Sequence, residues 1–169
     1  MDKKLIREYA ELVIKKGLAI RKGQKLVIKA YTGPECIEFT RLAAEAAYES
    51  GARDVVVKWT DEEVDRLRWL KADAKVFEAM DPWDIEESDS YGDSDTALLM
   101  IYSADPTGLS GVDPARLAAW SKAKGAGSKK QREDREAGKI AWCVIGVPNV
   151  KWAKGLFPDL CDEDAVEKL

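Results

Sequence analysis

The sequence predicts a three-layer α/β/α fold with a mainly parallel sheet of about four strands. Four short apolar segments, rich in β-branched residues, are separated from one another by segments with helical periodicity. These segments cover residues 25–30, 54–59, 96–102 and 140–147. They are apolar on both faces, and continuously apolar strands are typical of a parallel sheet that helices cover on both sides. The length of 169 residues is about that of one domain.

The first half of the chain alternates helix and strand signals. Residues 2–16 have apolar side chains three or four positions apart, and Gly17 follows as a C-cap. A second helix begins at Gly33-Pro34, with proline at its first position, and it ends at Gly51. A third begins at the capping box Thr60-Asp61-Glu62-Glu63. We expect the following side chains of these helices to face the core: Leu5, Tyr9, Leu12, Val13, Cys36, Phe39, Ala43, Ala47, Val64 and Leu67.

The second half is less regular. The acidic stretch Asp81–Asp95 lies before the third strand, and we predict a solvated loop there. A calcium loop is a weaker alternative, because an EF-hand starting at Asp89 would have Met100 where the bidentate glutamate belongs. Asp113-Pro114 caps another helix, and a segment of mixed charge ends at Gly138. This segment favours a solvated helix over an anion or nucleic-acid patch.

The end of the chain predicts the start of another helix. Acidic residues fill its first turn, Cys161 stands at the N-cap position, and no C-terminal cap follows. We therefore expect residues 1–160 to form an α/β domain. Residues 161–169 would begin a helix that leads toward a further domain.

Composition excludes several function classes. The chain has no histidine, so it cannot supply a His-based acid–base pair or a Ser-His-Asp triad. The net charge of −4 argues against a broad nucleic-acid surface. The three cysteines have no framework spacing, and no apolar stretch has the length of a membrane span. We therefore predict a cytoplasmic protein that binds no nucleic acid and no membrane.

Several motifs, taken together and in order, carry a family resemblance. They are Tyr9–Leu12, Lys22–Ile28, Val57–Glu63, Asp105-Pro106, Gly111–Arg116, Ile140–Pro148 and Trp152–Asp159. With these motifs the chain resembles the N-terminal domain of the aminopeptidase T / aminopeptidase S family of metalloaminopeptidases. Cys161 departs from the serine that the family tends to have as a helix cap, and Asp81–Asp95 is unusually acidic.

The resemblance implies a function that this chain would not perform alone. Members of the family are homodimeric exopeptidases that remove N-terminal residues from peptides. They use two divalent metal ions (zinc, cobalt or manganese) held by Glu, His and Asp of a C-terminal domain. No metal ligand or catalytic residue of the family can be placed on this sequence. The chain would then shape the substrate cleft and support the dimer; the alternative is a freestanding α/β binding or assembly module without catalysis.

The residues expected at a cleft follow from the fold. In open α/β sheets ligands approach the carboxyl ends of the strands. We expect these residues to face either a peptide or the chain's own catalytic domain: Tyr31, Thr32, Trp59, Thr60, Ser103 and Asn149. Helix capping explains Thr32 and Thr60 equally well.

Overall fold

A four-stranded parallel sheet forms the middle layer, which confirms the predicted three-layer α/β/α fold. The computed structural model describes residues 3–103 and 105–169. Its strands are Lys25–Tyr31 (β1), Asp54–Thr60 (β2), Thr96–Tyr102 (β3) and Trp142–Gly146 (β4), in the order β2-β1-β3-β4. All three pairings are parallel. A helix-containing crossover joins each strand to the next, as parallel pairing requires.

Eight α-helices surround the sheet within the described residues. They are Lys3–Leu12 (α1), Pro34–Glu49 (α2), Glu62–Lys71 (α3), Pro82–Asp93 (α4), Pro114–Gly127 (α5), Lys129–Glu136 (α6), Val150–Leu156 (α7) and Asp162–Lys168 (α8). A π-helical turn, Val13–Gly17, continues α1, and a 3₁₀ turn, Ala74–Phe77, lies between α3 and α4. None of the described helices is long and apolar enough to cross a membrane.

The largest core lies on the sheet face that α1 and α2 cover. Leu26 and Ile28 of β1 and Leu99 of β3 are fully buried there, and Phe39 of α2 packs against them in the same cluster. The predicted α2 stripe is confirmed, since its four residues are buried. Full burial of one such aliphatic side chain is worth roughly 1.5–3 kcal/mol, so this layer supplies much of the folding free energy.

The opposite face of the sheet has a smaller core. Val27 and Leu98 pack there with Tyr91 of α4 and Ile140. A separate cluster joins α3, the 3₁₀ turn and α5: the Trp69 and Phe77 rings stack with their centroids 4.6 Å apart. Helix α3 therefore packs mainly through Trp69, and its other apolar side chains are exposed to solvent.

The predicted core face of α3 is wrong, and that of α1 is right for Val13 and Tyr9, which belong to or pack against the core, but wrong for Leu5 and Leu12. Val64 and Leu67 are 64% and 56% exposed, because α3 packs on the 3₁₀ turn and α5 rather than on the sheet. In α1, Leu5 and Leu12 are both 57% exposed. Ile6 and Ala10 replace them in the core, since a second stripe four residues apart faces the sheet.

The acidic stretch is a helix rather than the predicted loop. Pro82 is the first residue of α4, and its buried face contains Ser88 and Tyr91. The carboxylates lie mostly on the other faces, where Glu87 forms a 2.7 Å ion pair with Lys58. The acidic composition of this stretch resembles that of a loop. In a helix, however, the same residues place one stripe in the core and the charged side chains on the surface.

Two boundaries also differ from the prediction. The fourth strand is shorter than residues 140–147, and as an edge strand it leaves Trp142 and Val144 about half exposed. The N-cap of α3 is Asp61 rather than Thr60.

Cys161 caps α8 as predicted, because its sulfur accepts a hydrogen bond from the Asp164 backbone N–H.

Candidate functional site

A cleft of about 300 Å³ lies at the carboxyl edge of the sheet, and we call it the polar cleft because most of the residues that line it are polar or charged. Four of the predicted residues line it: Tyr31, Thr32, Ser103 and Asn149. The ends of β1 and β3, the start of α2, the start of α3 and the loop before α7 bring them together. Parallel strands end on one side of the sheet, so this grouping follows directly from the topology.

The wall formed by α3 begins with a hydrogen-bonded cap. One carboxylate oxygen of Asp61 accepts from the backbone N–H groups of Glu63 and Val64, at 3.1 and 3.0 Å. The other oxygen accepts from the Thr32 hydroxyl at 3.0 Å. The Val64 backbone N–H and the Thr32 hydroxyl are the main causes that lower the Asp61 pKa. This ionised carboxylate therefore joins the end of β1 to α3.

The opposite wall is held by Asn149. Its side-chain amide donates to the Ser103 carbonyl and, at 3.1 Å, to the Ser103 hydroxyl. Its side-chain oxygen accepts from the Trp152 backbone N–H at 2.8 Å, which caps α7. One side chain thus connects the end of β3 to the helix that follows β4.

The floor of the cleft is less polar. Tyr31 is half-buried, and burial raises the pKa of its phenol. Cys36 lies fully buried on α2, and burial raises its pKa as well, although a hydrogen bond with Ser103 acts in the opposite direction. The Cys36 thiol is therefore part of the packing under the cleft.

A second cleft of about 270 Å³ adjoins the first and shares Glu62, Glu63 and Lys151 with it. Lys151 donates to Glu63 at 3.3 Å, and this hydrogen bond raises the lysine pKa. Glu62 accepts from the Asp105 backbone N–H at 2.8 Å. The Asp105 carboxylate accepts from both the hydroxyl and the backbone N–H of Thr107, and these bonds lower its pKa. The two clefts therefore contain several carboxylates beside two cations, Lys151 and Arg66.

Two predicted residues do not line either cleft. Trp59 lies in register with Ala30, so its side chain is on the sheet face that α1 and α2 cover, where it is 45% exposed. Thr60 contributes its backbone carbonyl, which accepts from the Thr32 N–H at 3.1 Å. The hydroxyl of Thr60 has no part in the Asp61 cap.

Sequence reasoning missed Lys151, Arg66 and Asp105. Lys151 follows Asn149 by two residues, so its position after a strand end was a usable signal. Arg66 donates to the Gly108 carbonyl and, at 2.9 Å, to the Ser110 carbonyl. This contact joins α3 to a loop 42 residues away in sequence, and no local pattern predicts such a pairing.

The residues do not fit the pair of metal ions that the resemblance implies. In residues 3–103 and 105–169, no three His, Cys, Asp or Glu side chains form a group that could hold a metal ion. The clefts offer hydroxyl, amide, carboxylate and ammonium groups, which suit hydrogen bonding to a polar chain.

The fold and the cleft define an α/β domain that presents a polar surface at the carboxyl edge of its sheet. The profile of the family described as thermophilic metalloprotease (M29) matches residues 2–169. The chain belongs to this family, as the resemblance indicated.

Several characterised proteins are similar to the chain. It is 32% identical to aminopeptidase AmpS of Bacillus subtilis (strain 168) over 164 residues, which are 97% of this chain and 40% of that protein. It is 32% identical to aminopeptidase 2 of Geobacillus stearothermophilus over 166 residues, 98% of this chain and 40% of that protein. The solved structure of wild-type AmpT from Thermus thermophilus matches with a TM-score of 0.88 and 30% identity. That match covers 99% of this chain and 42% of AmpT.

Proposed function

We propose that the chain is the non-metal-binding, amino-terminal domain of a metal-dependent aminopeptidase that removes N-terminal residues from peptides. The observation that carries the proposal is the family match over residues 2–169. The relatives are named aminopeptidases, and the chain spans about 40% of their length. Residues 1–160 form the domain in this proposal, and residues 161–169 begin the helix toward the catalytic domain.

The catalytic part would hold the two divalent metal ions, which are zinc, cobalt or manganese. Bound there, these metals would supply the hydrolytic chemistry. The present domain would supply one wall of the substrate cleft and support a homodimer in the cytoplasm. Peptide substrate, the chain's own catalytic domain and a second subunit are its proposed partners.

The six strand-end residues fall into two roles in this proposal. Tyr31, Thr32, Ser103 and Asn149 share the polar cleft, which favours contact with a peptide or with the catalytic domain. Trp59 and Thr60 lie beside that cleft, so contact with the catalytic domain is the role that suits them. Tyr31 is half-buried, and its phenol can both stack on a peptide and form a hydrogen bond with it.

The experiment tests substitutions in the whole protein that the reading frame encodes. Tyr31→Ala and Thr32→Ala should raise KM for a peptide substrate or lower kcat/KM. Trp83→Ala is the matched control, because Trp83 is 66% exposed on α4 and lines neither of these clefts. If both cleft variants retain wild-type kcat/KM and wild-type thermal stability, the cleft assignment is wrong. If the whole protein has no aminopeptidase activity, the alternative of a freestanding binding or assembly module is favoured.

A further inference from the structure

Lys29 is a charged residue on an inner strand of the sheet, and it lines neither of the two clefts. It lies on the same sheet face as Val27, two residues before it, and Tyr91 of α4 packs on that face. Its neighbours in register are Lys58 of β2 and Met100 of β3. Two lysines therefore lie side by side on adjacent parallel strands, where such a sheet usually has apolar side chains.

The Lys29 ammonium has no carboxylate partner. It takes part in no ion pair within residues 3–103 and 105–169. It lies instead 5.8 Å from the centroid of the Tyr91 ring. Lys58, by contrast, pairs with Glu87 at 2.7 Å, and Glu87 also accepts a hydrogen bond from the Tyr91 hydroxyl. The Glu87 carboxylate is therefore already engaged by two other side chains.

The surroundings of Lys29 favour its neutral amine. Burial is the main cause that lowers the Lys29 pKa. The ammonium groups of Lys124 and Lys58 act in the same direction, whereas Glu87 and Asp84 act in the opposite direction without outweighing these effects. These four groups lie on β2, α4 and α5. Part of the Lys29 side chain remains exposed, so a small reagent can reach it.

We propose that Lys29 is a modification site, a reactive lysine that small acyl phosphates acylate directly. A lysine becomes a better nucleophile when it is desolvated or lies next to another cation. The neutral Nζ attacks the acyl carbon, an N–C bond forms, and the C–O bond to the phosphate breaks. Phosphate leaves with the electron pair, and water takes the proton from Nζ. Lys58 and Lys124 would also attract the anionic reagent. This inference does not depend on the proposed function.

The test measures acetylation at individual lysines of the whole protein that the reading frame encodes, after brief exposure to acetyl phosphate near neutral pH. Peptide mapping by mass spectrometry gives the rates at Lys29 and at Lys71, an exposed lysine in the last turn of α3. Lys29 should react at least about threefold faster than Lys71. N-acetoxysuccinimide, an uncharged acyl ester, should also prefer Lys29, by a smaller factor. The rate at Lys29 should level off at a lower pH than the value of about 10.4 at which an ordinary lysine titrates.

A carboxylate variant tests the surroundings in one direction. Glu87→Gln should raise the rate at Lys29 about twofold or more, because it removes a carboxylate that favours the ammonium. Glu86→Gln is the matched control, since Glu86 is exposed on the same helix and does not act on the Lys29 pKa. It should leave the rate at Lys29 unchanged.

A lysine variant tests the opposite direction. Lys58→Gln/Lys124→Gln should lower the rate at Lys29 about threefold or more, because it removes two like charges and frees Glu87 to pair with Lys29. Lys75→Gln/Lys122→Gln makes the same change in net charge at exposed sites that do not act on the Lys29 pKa. This control should change the rate by less than about 1.5-fold. Circular dichroism checks that each variant is folded.

Three results would overturn the inference. The first is a rate at Lys29 of the whole protein that is equal to or lower than the rate at Lys71. The second is a preference for Lys29 that is confined to acetyl phosphate, which would show a surface that attracts anions rather than a reactive amine. The third is an equal effect of each variant and its matched control on the rate at Lys29.

Discussion

Gly92 of α4 lies directly against the carboxylate of Asp134 on α6, with no space for a β-carbon between them. The Asp134 side chain is only 6% exposed and accepts hydrogen bonds from Lys130 and Lys139, each at 2.8 Å. These bonds lower the Asp134 pKa. Lys130 also donates to the Asp89 carbonyl of α4 at 2.7 Å. The close approach at Gly92 therefore allows one charged network to join the two helices.

Gly92→Ala should destabilise the protein by about 1–3 kcal/mol, because the new methyl group would displace the Asp134 carboxylate from its two lysines. Gly125→Ala is the matched control, since Gly125 is also helical but has no atom within 4 Å of a built β-carbon. It should stabilise by roughly 0.5–1 kcal/mol through helix propensity. Urea unfolding of both variants measures the difference. Equal effects of the two substitutions would contradict the packing described here.

Asn149→Ala should cost about 1–3 kcal/mol, because it removes the α7 cap and leaves the Ser103 carbonyl without its donor. Asn149→Ser can restore the cap to the Trp152 N–H but cannot reach Ser103, so it should recover only part of the loss. The free energy of unfolding from urea titrations distinguishes the three proteins. Full recovery in Asn149→Ser would mean that the contact with Ser103 contributes nothing.

The stability of the protein should depend on the ionisation of Asp61. The folded-state pKa of Asp61 is lowered, so its contribution is present above the unfolded value of about 3.9 and is lost as the pH falls through the lowered folded value. Below about pH 4, the urea midpoint of the wild type should therefore decrease more than the urea midpoint of Asp61→Asn. Thr32→Val removes one hydrogen-bond donor to the Asp61 carboxylate. In that background, Asp61→Asn should therefore change the pH dependence of the urea midpoint less. Parallel pH curves for wild type and Asp61→Asn would show that the cap is not charge-dependent.

Two apolar substitutions test which faces the fold buries. Ile28→Ala should cost about 2–5 kcal/mol, because Ile28 is fully buried in the centre of the sheet. Val64→Ala should change stability by less than about 0.5 kcal/mol, since Val64 is 64% exposed. Thermal or urea unfolding measures both. A large loss in Val64→Ala would show that α3 packs on another element through that side chain.

The strands were predictable because their signal is local. β1 and β3 are apolar for most of their length and are flanked by turn or helix residues, so their limits agree with the prediction within one residue. The core face of α3 was not predictable in this way. Val64 and Leu67 have helical spacing, but the contact between Trp69 and Phe77 decides which side of α3 is buried.

The position of the candidate cleft follows from the order and direction of the strands, so that part of the site was predictable from the sequence. Strand ends indicated Tyr31, Thr32, Ser103 and Asn149, which do line one cleft. Their hydrogen-bond partners were not predictable. The contact between Asn149 and Ser103 joins residues 46 positions apart, and such pairings depend on how the crossovers place the loops.

The central proposal is that the chain is part of a metalloaminopeptidase whose metals are held outside residues 1–169. The most direct measurement is turnover of an aminoacyl-nitroanilide by the purified 169-residue chain with zinc, cobalt or manganese, beside the whole protein of the reading frame. We predict no turnover by the 169-residue chain with any of the three metals, and chelator-sensitive turnover by the whole protein. Chelator-sensitive turnover by the 169-residue chain, or none by the whole protein, would contradict the claim.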